Sequence, residues 1–122
     1  MNIETESRDK YLYVNVESAD NSARILISVF EQILPECRRL GYSKLLIEHV
    51  TSGKLNTTDA FDAATGIVAL DVRGIKIAYV DRHPNHLESL QFGELVAVNR
   101  GAFGKVFSNL EQAIEWLASD QG

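Results

Sequence analysis

The feature that most constrains this chain is an alternation. From Gly74 to Leu117 the sequence reads apolar strand, amphipathic helix, glycine-marked loop, short strand and capped helix. Ile75, Ile77, Tyr79 and Val80 carry the β-branched and aromatic side chains of a strand. Pro84 fits the first turn of a helix, where its missing N–H has no partner to lose. Leu87, Leu90, Leu95 and Val98 lie along that helix, which Gly101 follows. Val106-Phe107 is the last strand, and Ser108-Asn109-Leu110-Glu111 has the form of a capping box. The final helix then turns Leu110, Ala113, Ile114 and Leu117 inward.

The upstream half continues the pattern. Asn2 to Glu17 is predicted as a hairpin: a short strand at Ile3-Glu4, a turn at Ser7-Arg8-Asp9-Lys10, and a return through Tyr11, Tyr13, Val14 and Val16. Behind the N-cap candidates Asp20-Asn21-Ser22, the residues Leu26, Val29, Phe30, Ile33, Leu34, Cys37 and Leu40 recur at helical steps. Pro35 interrupts that helix and Gly41 suits its left-handed stop. Leu45, Leu46, Ile47 and Val50 form a strand buried on both faces. Asn56 caps a second helix whose buried stripe is Phe61, Ala64, Ile67 and Val68, ended by Asp71 to Gly74. Strands alternating with helices predict one α/β domain over residues 1–122, a mixed, mostly parallel sheet of about five strands with four helices and right-handed crossovers.

Composition narrows function more by exclusion than by assignment. A net charge of −5, with basic residues scattered, opposes attraction to nucleic acid or anionic lipid. A lone cysteine, Cys37, excludes an internal disulfide and a thiolate metal cluster. It falls on the apolar stripe of the first helix and reads as a small buried hydrophobe. Apolar runs reach only about four residues against the roughly 20 a spanning helix needs, and the polar start MNIETESRDK lacks a signal-peptide core. The expected address is cytoplasmic, with no integral membrane association.

Motif chemistry is sparse. Ser52-Gly53-Lys54 lacks the spacing of a phosphate loop. Thr57 and Thr58 open a helix, where a phosphate would meet unpaired N–H groups; plain capping explains the same residues. Asp81, His83 and His86 follow a strand, at the edge where open α/β sheets bind ligands. They read as a solvated helix start, with metal binding or acid–base work as the alternatives. Arg100, in a glycine-bearing turn, suits an anionic group or a partner's carboxylate, or only the helix dipole. His49 reads as a hydrogen-bonded structural residue near a strand end, and Trp116 as cover for the sheet or a homodimer contact.

Lys76 to Val80, the run Glu94-Leu95-Val96-Ala97 leading to Asn99-Arg100-Gly101, and Lys105-Val106-Phe107 followed by Glu111 to Leu117 resemble the STAS (sulphate transporter and anti-sigma-factor antagonist) superfamily. The nearest likeness is to its small stand-alone bacterial antagonist-like branch. The resemblance implies a STAS-like α/β domain that works by contact with a protein partner or by sensing a small ligand rather than by covalent catalysis; from the sparse motifs, no cofactor or metal is expected. Related folds that carry lipids add an alternative: a carrier or sensor of a small apolar or anionic ligand under the helix from Pro84 to Val98. Antagonists of this type present a phosphorylatable serine in an Asp-Ser-Ser-Gly-like turn; here the segment is Lys54 to Asp59, with Thr57 and Thr58 but no such tetrad.

Overall fold

The structure is a computed structural model that describes residues 1–119. Nine elements follow in the order β1 (Asn2–Ser7), β2 (Leu12–Ser18), α1 (Ala23–Arg39), β3 (Lys44–Thr51), α2 (Thr57–Val68), β4 (Lys76–Val80), α3 (Leu87–Asn99), β5 (Phe103–Phe107) and α4 (Leu110–Ala118). The sheet order is β1-β2-β3-β4-β5, antiparallel between β1 and β2 and parallel thereafter. This is the predicted α/β architecture, hairpin included.

Each crossover steps one strand in the same direction, so a constant right hand places α1, α2 and α3 on one face. The core on that side joins Leu12, Val14, Val16, Leu45, Ile47 and Ile77 to Leu26, Val29, Phe30 and Ile33 of α1. The other face is covered by α4, whose Ala113 and Leu117 pack with Leu46, Ala78, Val80 and Phe107. Strand β4 lies between the two layers and all five of its residues are buried. A strand covered twice reads as a continuous apolar run, which explains IAYV. Lys76 at its start is buried too, its ammonium donating to the carbonyls of Trp116 (2.6 Å) and Ser119 (2.7 Å).

Four local expectations are corrected. Helix α3 begins at Leu87, not at Pro84, because the Asp81 carboxylate accepts the His83 N–H (2.9 Å) and folds residues 81–86 into turns instead. Leu95 and Val98 do not face inward; Leu95 is 58% exposed. Leu95 stands five residues beyond the buried Leu90, about 140° around a 3.6-residue helix. Phe61 likewise lies outside, half-exposed, while the small Ala60, Ala63 and Ala64 face the core. Finally, Asn109 rather than Ser108 caps α4, accepting the Gln112 N–H at 3.1 Å.

Helices α2 and α3 run side by side because their contact positions are small. A Cβ on Gly93 would stand 3.3 Å from the Ala60 carbonyl oxygen, so the close approach depends on that glycine.

Candidate functional site

Two arrangements meet at Tyr79. The first is a polar row at the carboxyl ends of the parallel strands. Along each strand, alternate residues face the helices: Val14, Val16 and Ser18 on β2; Ile47 and His49 on β3; Ile77 and Tyr79 on β4, with Asp81 next. The inward positions thus change from apolar to polar where each strand ends. His49, Asp81 and His86 are each 2% exposed.

Hydrogen-bond direction is fixed from one end. The Ser18 hydroxyl donates to the Asp20 carbonyl (2.7 Å), so its oxygen accepts from His49 Nε2–H at 2.7 Å. His49 Nδ1 is then left as an acceptor, and it takes a short hydrogen bond from the Tyr79 hydroxyl. The assignment requires a neutral imidazole. Burial lowers the His49 pKa from 6.5 to about 4, and neighbouring His86 pushes the same way against an opposing pull from Asp81. Burial, with the charge of Asp81, also raises the Tyr79 phenol well above its usual range. The row therefore holds a neutral imidazole against a neutral phenol.

Beside it, Asp81 collects the loop that follows β4. One carboxylate oxygen accepts the His83 N–H; the other bonds His86 Nδ1 at 2.8 Å. The His83 and His86 rings stack with centroids 4.1 Å apart. The expected solvated helix start is therefore corrected: Asp81 and His86 are buried, the carboxylate being met by the His83 N–H and His86 Nδ1 in place of water. Asn21, wholly buried beside Gly53, has neither side-chain polar atom hydrogen-bonded among the described residues.

The second arrangement is an apolar cavity of about 110 Å³ between α2, α3 and the sheet. Ala60, Ala63, Ala64 and Ile67 supply one wall, Leu90, Gly93 and Ala97 another, and Ile77, Tyr79, Gly104 and Val106 the floor, with Leu26 and Phe30 at the α1 side. The space exists because alanine and glycine hold these inward positions while the larger Phe92, Leu95 and Val98 face outward. The ring of Tyr79 belongs to the cavity and its hydroxyl to the polar row, so one residue joins the two.

The predicted site residues divide accordingly. Asp81, His83 and His86 come together. Thr57 and Thr58 are exposed at the start of α2, where the Asn56 side chain caps the helix through the Asp59 N–H at 2.7 Å. Arg100 does not join them: it follows the far end of α3, and its guanidinium lies over the Phe61 ring, 5.6 Å from its centre. Ser18, Tyr79 and Asn21 were not singled out, although the polar break in each strand's inward parity marks the first of them. Among the described residues, no group of three or more His, Cys, Asp or Glu side chains is placed to hold a metal ion, and no helix is long and apolar enough to cross a membrane.

No protein-family model matches the chain, and no curated protein matches it.

Proposed function

We propose that this chain is a non-catalytic binding module that takes a small apolar group into the cavity beneath α2 and α3. The carrying observation is the cavity itself: about 110 Å³, partly open to solvent and lined almost wholly by alkyl and aromatic carbon, with Glu94 and Lys105 among its lining residues. A dry cavity of comparable wall, roughly 150 Å³, is large enough to accept benzene. An unfilled space of this size forgoes about 2–3 kcal/mol of packing at roughly 24 cal/mol per Å³. A fitting ligand recovers that loss. Its size class is a single aromatic ring or a short alkyl segment, and any polar head belongs outside the wall.

A titration of the isotope-labelled protein with benzene, followed by NMR, tests this reading. Saturable shifts are expected at Ala63, Ala97 and Gly104, and Ala63→Leu is expected to abolish them while raising the melting temperature. Shifts that do not saturate, or that persist in the filled variant, refute it.

Contact with a protein partner is the second reading, in keeping with the STAS resemblance. The α3 face that carries Phe92, Leu95 and Val98 favours it, since three large apolar side chains in a row on one helix stay open to water. Thr57 and Thr58, exposed at the start of α2, are the modifiable residues of that reading. Leu95→Asp is expected to abolish co-purification of any partner that uses this face; retention of the partner counts against it.

A further inference from the structure

The sheet has two margins, and they are treated differently. On β5 the Val106 N–H donates to Glu94 Oε1 at 2.7 Å, so the molecule's own carboxylate occupies that edge. Strand β1 has no such cover: five of its six residues are exposed. Its backbone directions follow from the hairpin. The Arg8 N–H donates to the Tyr11 carbonyl (3.1 Å), and bonded pairs alternate with unbonded pairs along an antiparallel ladder. Glu6, Glu4 and Asn2 accordingly turn their backbone groups toward β2. Ser7, Thr5 and Ile3 turn theirs outward, free to pair.

Charge decides what can pair there. Glu4 and Glu6 project from the same face as Glu17 of β2. Arg8 holds Glu6 at 3.0 Å, whereas Glu4 and Glu17 have no ion pair among the described residues. A second copy laid antiparallel with Thr5 opposite Thr5 would set Glu4 against Glu6 at two places. Like charges directly opposed across strands are destabilising. A strand with cations at alternate positions meets attraction at the same two places.

We propose that the free edge of β1 receives an extended basic segment of a partner protein as a sixth strand. The segment's backbone bonds to Ile3, Thr5 and Ser7, and its lysine or arginine side chains lie beside Glu4 and Glu6. The same pair of carboxylates that opposes self-pairing in the Thr5-centred register attracts a complementary sequence. The inference is independent of the cavity, since β1 contributes nothing to its wall.

The test uses two blocked nine-residue peptides, one alternating lysine with threonine, the other glutamate with threonine, added to the labelled full chain. The lysine peptide is expected to shift residues 2–8 saturably, and the glutamate peptide to leave them unmoved. Thr5→Pro removes an outward N–H and no bond to β2, so it is expected to fold normally and lose binding. The double variant E4K/E6K is expected to weaken the lysine peptide about tenfold and to admit the glutamate peptide. The proposal is overturned if both peptides bind alike, if folded Thr5→Pro binds as the parent does, if E4K/E6K leaves the preference unchanged, or if neither peptide shifts β1.

Discussion

Titrating His49 should cost the fold a large part of its stability in mildly acidic solution. Its ring must stay neutral for Nδ1 to accept the Tyr79 hydroxyl, and burial holds its pKa at about 4 against 6.5 for a free imidazole. The sign follows directly. Between these two values the unfolded chain binds a proton that the folded chain refuses, so acidification favours unfolding. The contribution is intact above pH 6.5 and is lost progressively as pH falls to about 4. At 1.36 kcal/mol per pH unit, that interval amounts to about 3 kcal/mol. Urea unfolding read from Trp116, the single tryptophan, measures it in the parent and in His49→Gln, which cannot titrate. Other groups titrate in both proteins and cancel in the difference. The parent-minus-variant stability should fall by about 3 kcal/mol from pH 6.5 to pH 4. A difference curve that is flat over this range refutes a neutral, buried His49.

Three further perturbations probe the frame. Gly53→Ala would bring a Cβ to 2.8 Å from the Asn21 nitrogen and 2.9 Å from the Ala19 carbonyl oxygen, both backbone atoms; calorimetry should show a loss of about 1–3 kcal/mol. Leu117→Ala empties the centre of the α4 layer, where Leu117 is 1% exposed, and should cost about 2–5 kcal/mol by denaturant unfolding. Asn56→Ala removes the α2 cap and should cost about 1 kcal/mol, with amide exchange quickened in the first turn of α2 and unchanged in α4.

Much of the architecture was legible because periodicity is a local property of the chain. The steps from Leu26 to Cys37, and the apolar runs at 45–47 and 77–80, report which face each element buries. The errors arose where two apolar stripes compete on one helix. In α3 the eye follows Leu87, Leu90, Leu95 and Val98, yet the sheet-facing side is set by Leu90, Gly93 and Ala97. Size, not hydrophobicity, chose it, since only small residues permit α2 to approach. The site was half legible. Asp81, His83 and His86 are neighbours in sequence, so their clustering was visible. Ser18, His49 and Tyr79 lie 30 or 31 residues apart and meet only through strand register. The cavity left no mark of its own in the sequence, because it is defined by side chains that are absent from where larger ones would fit.

The order of the strands has a consequence for how the molecule is made. Every strand lies against its immediate predecessor, so no segment waits for a distant one before it can pair. The loop entropy of each addition is that of one crossover alone, less than a sheet with strands inserted out of order would cost. A chain built this way can assemble in the direction of synthesis, the hairpin first and each βα unit docking onto a finished margin as it leaves the ribosome. Among the described elements α4 closes the second face, and until it docks the back of β4 stands open to water.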